Sequence, residues 1–207
     1  MEFVLFLKNI NNLLESILMN KAEIRSEYKS KRNNLSEAQV KAKDILIFEE
    51  LKQFDWSGIQ YLHCYLAIAK FKEFDTTIFI KWIWTHYPDI KIVISKSDFQ
   101  THLLKHYIYG PDTELICNPW GIPEPVAAEE VEARVIDLVL APLLAVDVLG
   151  NRIGYGKGFY DRFFASCKPE VIRTGISYFE PIAEIKDVST WDVPISTVFT
   201  PGKTYFL

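Results

Sequence analysis

The sequence predicts a three-layer α/β/α fold around a mostly parallel sheet. Two observations carry this. Short apolar runs alternate with segments of helical period, the pattern of crossover-connected strands covered on both faces. No internal repeat, low-complexity tract or long linker divides the chain, and its 49% hydrophobic and 24% charged residues are the balance of a globular domain. The 207 residues are read as a single domain over 19–207 preceded by an extension over 1–18, with Met19 as a native start.

Lys21–Arg32 reads as a helix ending at Asn33-Asn34. Its basic residues Lys21, Arg25, Lys29 and Arg32 are spaced 4, 4 and 3 apart and so share one face. Ser36 and Gln39 fit a capping box opening a second helix that runs to about Gln53. Ile59–Ile68 reads as a buried strand, Thr76–His86 as a helix stopped before Pro88, and Lys91–Ser95 and His102–Tyr109 as strands. Pro111, Pro119, Pro123 and Pro125 predict a long stiff loop over 111–125, and 126–134 is expected to be helical. Ile136–Ala141 is the clearest strand, a short apolar run before Pro142. A glycine-rich loop, a helix over Phe159–Cys167 and strands over Val171–Tyr178 and Thr197–Thr200 complete the pattern.

Composition excludes several function classes. A net charge of −4, from 23 basic and 27 acidic residues, lacks the basic footprint of a nucleic-acid binder. The longest uncharged run, Trp56 to Ala69, falls short of the ~18 residues a membrane span needs. Glu2 and Lys8 flank a brief apolar stretch that does not meet the pattern of a secretory signal. Cys64, Cys117 and Cys167 form no C-x-x-C pair or zinc spacing, which points to a reducing, cytoplasmic compartment. His63, His86, His102 and His106 show no metal spacing and receive no role.

Four of the nine glycines, Gly150, Gly154, Gly156 and Gly158, lie within nine residues. They follow the strongest strand and precede a helix, where open α/β sheets bind ligands. Exposed N–H groups there, a helix N-terminus behind them, and the charges of Arg152 and Lys157 describe a phosphate cradle. It is neither a Walker A loop, since Gly158 follows Lys157, nor a dinucleotide fingerprint, since Phe159 stands where the third glycine belongs. A tight strand-to-helix turn without ligand is the simpler alternative. Asp147 fits the first position of a type I turn closed by Gly150, so a structural role weighs at least as much as a catalytic one. Asp161, in the first helical turn, suits either capping or magnesium held beside a phosphate.

Residues 142–164 (PLLAVDVLGNRIGYGKGFYDRFF) resemble the signature of the 5-formyltetrahydrofolate cyclo-ligase family. The resemblance extends over about 20–203. Lys21-x-x-x-Arg25 with Arg32 looks like the family's ATP-binding helix, and Glu73-Phe74-Asp75-Thr76 like its substrate motif. Trp120-Gly121-Ile122-Pro123-Glu124-Pro125 looks like its proline loop. Gly175-Ile176-Ser177-Tyr178 and Trp191-Asp192-Val193-Pro194 look like its last two motifs.

The resemblance implies a Rossmann-like, NagB/RpiA/CoA-transferase-like scaffold. It also implies magnesium-dependent conversion of 5-formyltetrahydrofolate and ATP to 5,10-methenyltetrahydrofolate, ADP and phosphate through a phosphorylated formyl oxygen. By the same resemblance Lys21, Arg25 and the segment Arg152, Ile153, Gly154, Tyr155, Gly156, Lys157, Gly158, Phe159 and Tyr160 bind ATP. Lys157 and Arg152 are catalytic, Glu73, Trp120 and Tyr155 bind folate, and Asp161 and Asp192 hold Mg2+. The expected partners are small molecules alone, the chain acting as a monomer. Departures from the family pattern are Leu143 for a glycine, Phe159 for a tyrosine and Trp191 for a histidine. A sugar-phosphate or CoA-processing enzyme, or a non-catalytic folate- or nucleotide-binding protein, are the readings from other classes.

Overall fold

A computed structural model of the chain describes residues 19–207. The extension expected over 1–18, with its implied start at Met19, concerns residues outside those described.

Helices α1 (Lys21–Asn33) and α2 (Glu37–Gln53) each open with a capping box. In the first, the Asn20 side chain accepts from Ala22 and Glu23 while Glu23 caps the Asn20 N–H; in the second, Ser36 and Gln39 do the same. Then come β1 (Tyr61–Cys64), α3 (Thr76–His86), β2 (Lys91–Asp98), β3 (Leu103–Ile108), β4 (Leu115–Cys117), β5 (Pro123–Pro125) and β6 (Glu130–Val131). The chain continues through β7 (Leu138–Pro142), β8 (Ala145–Val146), β9 (Arg152–Ile153), α4 (Phe159–Ser166), β10 (Ile172–Ile176), β11 (Thr197–Thr200) and β12 (Lys203–Phe206).

The main sheet has eight strands in the order β12-β11-β10-β7-β1-β2-β3-β6. The inner strands β11, β10, β7, β1 and β2 run parallel, and antiparallel strands finish both edges. Side-chain alternation sorts the core into two sides. Leu138 and Leu140 of β7 point with Leu62, Ile92 and Phe199 toward α2 and α3. Val139 and Ala141 point the other way, toward Phe163 and Phe164 of α4. The expected three layers result.

Helix α1 belongs to neither layer. Ile24 and Tyr28 bury against Leu144, Ala145 and Ile153, so α1 sits on the small β8–β9 hairpin that follows β7. Full burial of Ile24 contributes about 1.5–3 kcal/mol. This packing carries the basic face of α1 to the glycine-rich loop.

Three expectations are corrected. The segment 126–134 is not helical: Glu130 and Val131 pair with Tyr107 and His106 of β3, and Ala133–Val135 forms a single 3-10 turn. The helix-favouring Glu and Ala residues yield to the unpaired edge of β3, whose backbone groups take partners there. The 111–125 loop contains a hairpin, β4 with β5, in which Pro123 and Pro125 occupy an outer strand of a separate two-stranded sheet. The strand expected over 59–68 is laddered only over Tyr61–Cys64, after which the chain leaves the sheet to form one wall of the site. The β8–β9 hairpin and β12 were not foreseen. Among the described residues no helix is long and apolar enough to cross a membrane, and the three cysteines are free thiols.

Candidate active site

Strands β7, β1 and β2 lie side by side, and beyond their carboxyl ends opens a cavity of about 530 Å³. This is where an open α/β sheet places a ligand. Its first wall joins α1 to the glycine-rich loop. Arg25 Nε donates to the Gly154 carbonyl at 3.0 Å. Gly156 has φ +84°, and a Cβ there would lie 3.2 Å from the Arg25 guanidinium carbon. Glycine thus supplies both the left-handed backbone and the room for the arginine. Gly158, φ +69°, is the N-cap of α4 and offers no side-chain cap. The first-turn N–H groups of α4, beside exposed Lys157, are therefore not claimed by a capping side chain, which suits an anion.

Two carboxylates stand on the same wall. Asp161 Oδ1 accepts from Arg152 Nη2 at 2.8 Å and from the Val193 N–H at 3.2 Å. Asp192 Oδ2 accepts from Lys21 Nζ and from the Ser189 N–H. Asp161 is therefore not a helix cap. The Arg152 side chain is only 7% exposed, lies over the Phe164 ring and donates to the Val193 carbonyl. Burial pulls its pKa below the usual arginine value, and the charge and hydrogen bond of Asp161 offset part of that drop. Arg152 holds Asp161 in place and lines the cavity wall.

A magnesium ion fits this donor set. These bonds engage one oxygen of each carboxylate, and magnesium needs only one or two carboxylates when phosphate oxygens complete its shell. Among the described residues no group of three or more metal-ligating side chains forms an all-protein cage.

A second wall is aromatic and adjoins the first through Tyr155 and Phe159. Phe71 packs on Tyr155 with ring centroids 4.9 Å apart, and Phe99 stacks on Trp120 at 4.1 Å. Asn118 shapes the tip that carries Trp120: its Oδ1 accepts from the Trp120 and Ile122 N–H groups, and its Nδ2 donates to Glu124. Lys70 Nζ donates to the Trp120 carbonyl, tying this tip to the segment after β1. Between the walls is Glu73, only 8% exposed. It accepts from the Ile68 N–H at 2.7 Å and from the Tyr155 hydroxyl at 2.6 Å. Burial raises its pKa; those two bonds and the charge of Arg32 work against the rise.

The sequence model of the 5-formyltetrahydrofolate cyclo-ligase family matches residues 18–201. The chain belongs to that family. A cyclo-ligase from Haemophilus influenzae is 28% identical over 177 residues, covering 84% of this chain and 93% of that one. One from Escherichia coli K12 is 29% identical over 136 residues, 64% of this chain and 74% of the other. The NMR structure of Aquifex aeolicus 5,10-methenyltetrahydrofolate synthetase superposes with a TM-score of 0.74 at 25% identity, covering 90% of this chain and 92% of that one. The family is one of ring-forming ligases acting on 5-formyltetrahydrofolate.

The cavity gathers Lys21, Arg25, Glu73, Trp120, Arg152, Asp161, Asp192 and the loop residues from Gly154 to Tyr160. Ile153 is the exception among the residues expected there: its side chain is buried under α1. The basic face of α1 divides, with Lys29 exposed and Arg32 buried beneath the loop. Asp147 is structural: fully buried, it accepts from Leu149, Asn151 and Ile185 and closes the turn with Gly150. Sequence reasoning missed Phe71 and Phe99, whose ring partners are far away in the chain. It also missed a buried chain in which Ser95 Oγ lies 2.9 Å from His63 Nε2 and 2.9 Å from His106 Nδ1. Burial depresses the pKa of His63 and lowers that of His106 to about 4, keeping both neutral at physiological pH.

Proposed function

We propose that the chain couples closure of the methenyl ring to ATP, with the glycine-rich wall holding the nucleotide and the aromatic wall holding the folate. The observation that carries this is the single cavity flanked by both walls.

Lys21, Arg25, Lys157 and the N–H groups before α4 neutralise the polyphosphate. The pterin lies along Phe99–Trp120 and Phe71–Tyr155, with Glu73 accepting from its N–H groups. The formyl oxygen attacks the γ-phosphorus and ADP departs. N10 then attacks the formyl carbon and gives up its proton, and phosphate carries away the former formyl oxygen, leaving the methenyl bridge. Phosphoryl transfer depends on positioning and charge neutralisation. Lys157 supplies the cation nearest the transferred group. Asp161 and Asp192 would hold magnesium, which adds charge neutralisation at the phosphates. Arg152 keeps Asp161 aimed at that ion. The reading takes the chain as a monomer acting on small molecules in the cytoplasm, where free thiols suit the reducing compartment.

The test is ADP formation by the purified chain with 5-formyltetrahydrofolate, ATP and magnesium each omitted in turn. The proposal expects turnover only with all three. ADP release without folate would favour a different acceptor, and binding without turnover a carrier.

A further inference from the structure

We infer that Arg32 serves the folate side of the site, as the positioning residue that holds Tyr155 as a hydrogen-bond donor to Glu73. Arg32 shares its helix with Lys21 and Arg25, yet it does not line the cavity. It is 6% exposed and lies beneath the glycine-rich loop. Nη2 donates to the Tyr155 hydroxyl at 2.5 Å, and Nη1 to the Leu143 carbonyl at 3.4 Å.

The direction of every bond follows from donor inventory. A guanidinium only donates, so the Tyr155 oxygen accepts from Arg32. The one phenolic proton must then go to Glu73 Oε1, at 2.6 Å. The Ile68 N–H occupies one site on Oε2. What Glu73 has left to offer a ligand is acceptor capacity alone, which suits the N–H edge of a pterin.

Charge acts in the same direction. The phenols of Tyr65, Tyr160 and Tyr178 lie near Glu73 and contribute no positive charge; burial first, and the Glu73 charge in addition, disfavour their ionisation. Lys70 and Lys72 are spent on the carbonyls of Trp120, Asn33 and Leu35. Arg32 is the cation that counters the burial of Glu73. Without it, Tyr155 loses its anchor and Glu73 is easier to protonate.

The inference rests on Glu73 being the folate ligand, and the experiment separates the two. Binding of 5-formyltetrahydrofolate and steady-state kinetics are compared for wild type, Glu73→Gln, Arg32→Gln, Arg32→Lys, Tyr155→Phe and the Arg32→Gln/Tyr155→Phe double variant. Arg32→Gln should weaken folate binding about tenfold or more while the KM for ATP stays within about twofold. The acid limb of kcat/KM for folate should move to higher pH, and Arg32→Lys should restore part of that shift. The double variant should be no weaker than the worse single one, because both act through one contact. Equal losses for ATP and folate, an effect on ATP alone, or additive losses would overturn the role of Arg32. Unchanged folate binding in Glu73→Gln would overturn the reading of Glu73 and the inference with it. If Arg32→Gln does not fold, Tyr155→Phe decides, since it must move the same acid limb upward.

Discussion

Lys21, the first residue of α1, is ion-paired with Asp192, 171 positions further along the chain. The Lys21 N–H also donates to Asp187, so the start of α1 is fixed to the 187–192 segment by two bonds. On the proposed reading, the cation assigned to ATP and the carboxylate assigned to magnesium are thereby preset against each other.

The proposed magnesium site gives the first test. Asp161→Asn and Asp192→Asn should each raise the magnesium concentration needed for half-maximal activity. Titration of magnesium at saturating ATP and folate measures this. An unchanged requirement in both variants would assign the two carboxylates to ion pairing alone.

Lys157 is exposed, so its removal costs little stability, yet the proposed mechanism makes it the cation nearest the transferred group. Lys157→Ala should lower kcat on the order of 10²-fold with an unchanged melting temperature. Wild-type turnover would remove it from the mechanism.

The Phe99–Trp120 stack should matter to one substrate only. Trp120→Ala is expected to raise the KM for folate roughly tenfold, the loss of a stacking surface and its apolar area, and to leave the KM for ATP nearly unchanged. Initial rates with each substrate varied in turn distinguish this from a general defect.

Acid should weaken the fold through His106. Burial disfavours the charged form and pulls its pKa from the ordinary 6.5 down to about 4 in the folded chain. Below pH 6.5 the unfolded chain takes up a proton that the folded chain refuses. Stability is therefore full above about pH 6.5 and falls toward pH 4, by roughly 3 kcal/mol from this residue. Denaturant titrations from pH 7 to 4 should show a shallower loss in His106→Gln than in wild type.

Local signals read well in this chain. The helices over 21–33, 37–53 and 76–86 announce themselves by caps and stop residues, and the strand before Pro142 by its apolar run. The glycine cluster marked one wall because its purpose is local backbone geometry. The aromatic wall was half legible: Trp120 stood out in a proline loop, but Phe99 and Phe71 find their ring partners only through tertiary contact. The burial of Arg32 beneath the loop was not legible for the same reason. Its helical spacing sets it on the face of Lys21 and Arg25, but the tilt of α1 on the β8–β9 hairpin, which decides what each residue of that face touches, is not a local property. The 126–134 segment failed as a helix because an open strand edge, invisible in its own residues, outweighed propensity.

The central claim is that the cavity brings the γ-phosphoryl group of ATP onto the formyl oxygen of the folate. Carrying out the reaction with 5-formyltetrahydrofolate labelled with oxygen-18 in the formyl group tests it most directly. The account predicts that the released phosphate acquires the label in a one-to-one ratio with the methenyl product. Label appearing in water, with unlabelled phosphate, would contradict it.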